Sequence, residues 1–195
     1  MSQDSTDRVA DDWRQPALTG EKVLLRPLAK DDWDALFAIA SDKLVWELHP
    51  AHDRWKEPVF REFFENALRY KGAMAMVDRA TGVIFGSSRW QGVVEECATE
   101  PSSVEIGWTF LARSHWGGAW NREVKRLMIG HALQHVEMVE FHVGKDNLRS
   151  RRAMEKIGGS LSDRTLVVEM VGVQVHHVIY EITRDSFASG PLASL

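Results

Sequence analysis

Residues 104–136 hold the pattern that most constrains the fold, because a strand, a glycine-containing turn and a long helix follow one another directly. Residues 104–111 read as a strand, and after Gly117 and Gly118 the apolar spacing predicts a helix from about 121 to 136. Such a turn aims unpaired backbone N–H groups outward at the positive end of a helix dipole. It is a candidate site for phosphate or pyrophosphate, although a simple strand-to-helix turn explains the pattern equally well.

The elements around this pattern predict an α+β domain. The sequence favours further strands at 21–27, 73–77, 83–89, 139–143, 166–170 and 175–182, and further helices at 31–40, from 58 onward and at 147–157. Their order gives a β meander followed by one βαβ step. This order predicts a mixed, mostly antiparallel sheet with helices on both faces.

One folding unit accounts for the chain of 195 residues, which has no long linker and no internal repeat. Residues 1–17 are polar and aperiodic, so we expect a flexible leader followed by a single domain over 18–195. The net charge of −4, without a basic block, argues against nucleic-acid or anionic-membrane partners. The lone Cys97, the absence of an apolar span and the polar start without a secretory signal predict a cytoplasmic protein.

Three segments together resemble a known enzyme family. They are 104–108 (VEIGW), 116–123 (WGGAWNRE) and 147–158 (NLRSRRAMEKIG), in the order and spacing of the GNAT superfamily of N-acetyltransferases. The resemblance is greatest to its RimJ/RimL-type branch. It implies a six- to seven-stranded sheet in which two strands splay apart to form a wedge for acetyl-CoA.

Two departures from the family pattern bear on catalysis. Asn121 stands where a small residue is usual, and Met154 lies near the position at which many relatives carry a tyrosine general acid. A methionine has no proton to donate, so the source of that proton is left open.

The resemblance also implies where acetyl-CoA binds. Its pyrophosphate would rest on the glycine turn, and its pantetheine arm would lie between residues 108–111 and 141–143, pairing with the free strand edges. The expected cofactor-binding residues are Trp108, Thr109, Phe110, Trp116, Gly117, Gly118, Ala119, Trp120, Asn121, Arg122, Asn147 and Ser150.

Acetyl transfer to an amine requires a deprotonated amine, a polarised carbonyl and a close approach of the two. Glu105 is the candidate base, although a solvent-facing glutamate at a strand edge is an equal alternative. A backbone N–H in a bulge near 108–110 is the candidate donor to the carbonyl oxygen. Ser150 is the second catalytic candidate, near the sulfur.

A cluster of aromatic and basic residues is the candidate acceptor pocket. Tryptophan rings could stack on the acceptor, and arginines could hold a carboxylate or phosphate on it. Each residue taken alone could instead be core or solvated. The candidates are Trp46, His49, Arg54, Trp55, Arg89 and Trp90.

These features predict an acetyl-CoA-dependent N-acetyltransferase that acts on a protein N-terminus or a small amine by direct attack in a ternary complex. A CoA-binding module of the same fold with weak or no catalysis is the alternative. The paired histidines at 131/135 and 176/177 lack a carboxylate at ligand spacing, so we expect no metal. A homodimer through the closing hairpin is open, since residues 167–178 could equally be core.

Overall fold

The computed structural model describes residues 13–97, 101–117 and 119–193. Its strands are β1 (Leu18–Thr19), β2 (Val23–Pro27), β3 (Ala73–Asp78), β4 (Ile84–Val94), β5 (Ser103–Leu111), β6 (Met138–Gly144), β7 (Ser160–Met170) and β8 (Val173–Thr183). Its helices are α1 (Trp33–Ala40), α2 (Lys43–Trp46), α3 (Glu57–Tyr70), α4 (Ala119–Ala132), α5 (Leu148–Lys156) and α6 (Arg184–Ser189).

The strands of the described chain form one sheet in the order β1-β2-β3-β4-β5-β6-β8-β7. Neighbouring strands run antiparallel, except that β5 and β6 run parallel. The predicted mixed, mostly antiparallel α+β architecture is therefore confirmed. The predicted number of six to seven strands is wrong, because the sheet has eight and includes the two-residue strand β1, which is too short to read from periodicity.

Two apolar clusters hold the helices on the sheet. Met128 and Ile129 of α4 pack with Ile106 of β5 in the larger cluster, whereas Phe60 of α3 packs with Phe110 of β5 in the smaller one. Strand β5 thus contributes to both clusters. Regular alternation would place Ile106 and Phe110 on the same face, but β5 has one extra residue between them relative to β4, which reverses the facing. No helix within the described ranges is long and apolar enough to cross a membrane.

Trp13 falls in the segment expected to be a flexible leader, yet it packs on the domain. Its ring stacks on that of His135 at 4.8 Å and meets Trp90 edge-on at 6.1 Å. Its carbonyl oxygen lies 2.7 Å from Nε2 of His131. The packed part of the chain therefore includes Trp13, while residues 1–12 of the expected leader lie outside the described residues.

Strand β7 lies at the edge of the sheet and is largely exposed. Val167 is 47% exposed and Val173, at the start of β8, is 62% exposed. The alternative that this hairpin belongs to the core is therefore wrong for these residues.

Gly72, between α3 and β3, and Gly82, between β3 and β4, have nearly equal positive φ values of 74° and 72°. A Cβ at Gly72 would lie 2.5 Å from the carbonyl oxygen of Trp90, whereas one at Gly82 would meet no atom within 4 Å. We expect Gly72→Ala to lower the free energy of unfolding by about 3 kcal/mol and Gly82→Ala by about 1 kcal/mol, because only the first adds a clash to the left-handed strain. Urea denaturation measures both, and equal losses would contradict this account.

Candidate functional site

Strand β5 contains a β-bulge opposite β4. The register shifts between Ser87 and Arg89, so that Ser88 alone lies opposite Trp108 and Thr109. Trp108 takes a φ of 53°, a region that non-glycine residues seldom occupy. The bulge expected near 108–110 is therefore present.

Side chains hold this bulge from two directions. The Arg89 guanidinium carbon lies 3.9 Å from the centre of the Trp108 ring. The Thr109 hydroxyl lies 2.7 Å from the hydroxyl of Ser88 and accepts a hydrogen bond from Nζ of Lys125 at 2.9 Å. These contacts offset the backbone strain at Trp108.

Strands β5 and β6 separate just before the bulge. Their pairing ends at Glu105 opposite Glu140, although β5 continues along β4 to Leu111 and β6 continues along β8 to Gly144. The two strands therefore face each other without a ladder over their last residues. This is the splay that the sequence resemblance implied.

A cleft of about 1140 Å³ opens in this gap. The charged residues that line it are one acid, Glu105, and six bases, Arg54, Arg122, Lys125, Arg149, Arg152 and Lys156. Because the whole chain has a net charge of −4, this positive charge is concentrated locally. Such a cleft suits a polyanion.

The glycine turn borders the cleft. Gly117 has a φ of 70°, and a Cβ there would meet nothing within 4 Å, so the left-handed backbone and not crowding requires glycine. Helix α4 begins at Ala119, and its first N–H groups have no intrahelical acceptor. The side-chain oxygen of Asn121 is buried and lacks a hydrogen-bond partner in the described part of the chain, but as an acceptor it does not contribute to anion binding. The free N–H groups of the helix start fit a diphosphate.

Most of the expected cofactor-binding residues line the cleft. Trp120 does not, because its ring packs on Phe85 at 5.2 Å and on His115 at 4.8 Å. Ala119 is the first residue of α4, and Gly118 lies outside the described residues. Those that line it are Trp108, Thr109, Phe110, Trp116, Gly117, Asn121, Arg122, Asn147 and Ser150.

Helix α5 forms the opposite wall of the cleft. The Asn147 side chain caps it by accepting a hydrogen bond from the Ser150 N–H at 3.1 Å, so Ser150 sits in its first turn. Arg149 reaches across to the Trp116 ring at 4.6 Å. Helical spacing alone does not distinguish whether Arg149 and Arg152 face a ligand or cover a solvated helix surface. Met154 lines the cleft, and no tyrosine is among the described residues that do so.

Glu105 is the last residue of β5 that pairs with β6, and it belongs to a row of ionisable side chains. Nδ1 of His142 is 3.3 Å from its carboxylate, and Nε2 of His142 is 3.0 Å from the carboxylate of Glu140. Arg164 then joins Glu140 to Glu181 at 2.8 and 2.7 Å. Glu105 is therefore a half-buried carboxylate on an inner strand of the sheet, where it lines the cleft and contacts His142, and it is not at a strand edge.

The pKa shifts of Glu105, His142 and Glu140 follow from their burial and from their contacts with one another. Burial raises the pKa of Glu105, outweighing the neighbouring charges of His142 and Arg89, which lower it. Burial lowers the pKa of His142, but its hydrogen bond to Glu140 and the charge of Glu105 raise it by more. The hydrogen bond from His142 lowers the pKa of Glu140 to about 2. A carboxyl of raised pKa beside a fixed imidazole is suited to accept a proton near neutral pH.

Lys125, which sequence reasoning missed, points from α4 into the gap. It is 2% exposed and lines the cleft, with Nζ bound to Thr109 and 5.2 Å from the centre of the Phe141 ring. Burial lowers the pKa of its ammonium to about 7. In the sequence it looks like one helix lysine among others, since helical spacing does not reveal that a strand gap lies opposite.

Of the three tryptophans expected in an acceptor pocket, two lie outside the cleft lining and the third lines it as a buried core residue. Trp90 is fully buried beside Trp13 and His131. Trp55 packs under Lys43 at 4.1 Å, outside the cleft lining. Trp46 is 2% exposed and donates from Nε1 to the Ala40 carbonyl, so it supports the cleft wall as a core residue.

The basic residues that were expected in the acceptor pocket lie in or near the cleft. The Arg54 and Arg89 guanidinium carbons lie 4.6 and 5.7 Å from the Phe63 ring centre, and neither guanidinium has a hydrogen bond or ion pair within the described ranges. Burial lowers the pKa of each to about 10. His49 lines the cleft, and burial lowers its pKa to about 3; its Nδ1 accepts from the Ala51 N–H, so the neutral ring is a donor and not a base.

The sequence matches a known protein family, and the fold matches solved structures. Residues 22–160 match the family model described as an acetyltransferase (GNAT) domain. An acetyltransferase of the GNAT family from Bacillus anthracis matches with a TM-score of 0.70 and 17% identity, over 87% of this chain and 99% of the other.

Two further solved structures hold CoA. Mycobacterium smegmatis RimJ in complex with CoA-disulfide matches at a TM-score of 0.65 and 19% identity, covering 88% of this chain and 86% of its own. Spermidine N-acetyltransferase from Vibrio cholerae, in complex with CoA and spermine, matches at 0.64 and 13%, covering 86% and 99%. At these identities the structures show a shared fold.

The buried ammonium of Lys125 gives a stability prediction. Because folding lowers the pKa of Lys125 from 10.5 to about 7, its burial destabilises the protein fully below pH 7 and less as the pH rises toward the unfolded value. We expect Lys125→Met to raise the free energy of unfolding by about 2–4 kcal/mol at pH 6, and the gain to shrink by more than half at pH 10. Urea denaturation at both values tests this, with the exposed Lys30→Met as the control. A gain that does not depend on pH would refute it.

Proposed function

The chain belongs to the acetyltransferase (GNAT) domain family and is an acetyltransferase, and from this premise we propose that it transfers the acetyl group of acetyl-CoA directly to a primary amine. The observation that carries the proposal is the cleft between the separated β5 and β6, with the α4 N-terminus at one side. We propose residues 18–195, with Trp13 packed on them, as a single domain of the RimJ/RimL type.

Acetyl-CoA supplies the activated acetyl group as its thioester. The diphosphate would lie on Gly117 and the first N–H groups of α4, with Arg122, Arg149 and Arg152 as counter-charges. The pantetheine amides would pair with the open edges of β5 and β6. Asn147 and Ser150 of α5 would border the arm near its sulfur.

Transfer would take place at the bulge. A backbone N–H in the segment 108–110 would donate to the thioester oxygen, while Glu105 would accept a proton from the amine, directly or through water. The N–C bond forms as the C–S bond breaks, and the thiolate takes the electron pair. His142 would orient Glu105 through their 3.3 Å contact.

The acceptor would approach past the loop that carries His49 and Arg54. The half-buried Arg54, with the buried Arg89 beside the same Phe63 ring, presents positive charge without a bonded carboxylate in the described part of the chain. This favours an amine that bears a carboxylate or phosphate, such as a peptide N-terminus followed by acidic residues or a small acidic amine. A polyamine, as in the Vibrio cholerae complex, would meet like charge here.

We expect acetyl-CoA to bind at one site per chain with micromolar affinity. The double variant Arg149→Glu/Arg152→Glu should weaken binding at least about tenfold, because it reverses charge on the cleft wall. Isothermal titration calorimetry measures this, and Lys30→Glu/Lys71→Glu makes the same charge change on exposed lysines outside the cleft lining. No binding at millimolar acetyl-CoA would overturn the proposed function.

Glu105→Gln should lower kcat/KM for the best amine of a panel by about 100-fold while leaving acetyl-CoA affinity within about twofold, because it removes the base and not the phosphate site. The rate of the unaltered protein should rise as pH increases through the raised pKa of Glu105, and the variant should lose that limb. Thioester loss measures the rate, with the exposed Glu62→Gln on α3 as control. Acetyl-CoA binding without thioester loss for any amine would favour the inactive CoA-binding module.

A further inference from the structure

The reaction leaves a CoA thiolate that needs a proton, and Met154 cannot supply it. The family resemblance places a phenol near this position in many relatives. Here the buried Tyr180 is outside the cleft lining, and its hydroxyl donates to Glu155 at 3.1 Å. Another group that lines the gap is therefore a candidate proton donor.

Lys125 has the placement that this role requires. Its Nζ lies between the two separated strands, bound to the Thr109 hydroxyl on the β5 bulge and facing the Phe141 ring on β6. The bulge is also where the thioester oxygen would be bound. An ammonium at this point adjoins the reacting thioester if the arm follows the strand edges.

The ammonium of Lys125 also lacks an anionic partner. Among the described residues, its hydrogen bond is to the neutral Thr109, and no carboxylate forms an ion pair with it. A buried, unpaired ammonium is costly to fold, and a neutral donor would be enough for the hydrogen bond to Thr109. The ionisable groups on the strands facing the same gap, Glu105 and His142, pair with each other.

We propose that Lys125 is the general acid of the transfer, which pairs with the CoA thiolate and gives it a proton. The C–S bond breaks with its electron pair on sulfur, an Nζ–H bond breaks, and an S–H bond forms to release CoA as the thiol. The neutral amine of Lys125 then regains a proton from solvent, while the proton of the acceptor amine leaves through Glu105. This inference rests on the proposed function.

An ammonium that serves as an acid at each turnover must give up its proton readily. The burial that lowers the pKa of Lys125 to about 7 provides this property. A general acid is most effective when its pKa lies near the working pH.

The first test uses CoA alone and needs no acceptor. The ultraviolet absorbance of the thiolate gives the pKa of the CoA thiol when it is bound to the protein. We expect this pKa to be at least one unit below that of free CoA in Lys125→Arg, whose charge persists through the titration, and to equal or exceed that of free CoA in Lys125→Met. In the unaltered protein the Lys125 ammonium, whose pKa is about 7, is largely neutral where the thiol ionises, so the thiol pKa should lie between these two values, and Lys30→Met should leave it unchanged. Equal thiol pKa values in Lys125→Arg and Lys125→Met would refute the proposal.

The second test separates acid catalysis from charge alone. Both Lys125→Met and Lys125→Arg should lower kcat by about 100-fold with acetyl-CoA affinity changed less than about threefold, because a guanidinium does not release its proton near neutral pH. Full activity in Lys125→Arg would show that charge suffices and would overturn the acid role. Intact-mass detection of acetyl-Lys125 during turnover would also overturn it, by showing a nucleophile. Failure of acetyl-CoA to bind the unaltered protein would instead refute the proposed function itself.

Discussion

The extra residue in β5 is the constraint on which the site depends. A bulge increases local twist and bends the strand that carries it. Here it lies just past the last rungs shared by β5 and β6, so β5 follows β4 while β6 follows β8. A regular β5 would continue the ladder and close the gap in which a ligand could lie.

The contacts that fix the bulge also position two cationic side chains. Arg89 stacks on Trp108 from the side of α3, and Lys125 reaches Thr109 from α4. One function of each side chain is thus to hold an unfavourable backbone geometry. Lys125 also lines the gap that this geometry opens, so the backbone geometry and the charge of the cleft both depend on it.

Local signals were sufficient for much of the fold. The glycine turn, the helix at 119–132 and the strand at 103–111 follow from short-range spacing, and the motif set gave the wedge and the places of Glu105, Asn147 and Ser150. Contacts between residues far apart in the sequence could not be predicted from it. Trp90 resembled a pocket residue but faces Trp13, a partner 77 positions earlier that lies in the supposed leader. Lys125 and Arg149 likewise gain their roles from strands and turns distant in sequence.

The distribution of charge argues that this cleft is maintained for binding. Burial lowers the pKa of Arg54, Arg89 and Lys125, and none has an ion-pairing carboxylate in the described residues. Each therefore costs folding free energy in the free protein. Apolar side chains of similar size would fill these places at lower cost. Negative charge on a bound ligand would offset this cost, and acetyl-CoA bound as proposed would supply it through its phosphates and the thiolate that it forms.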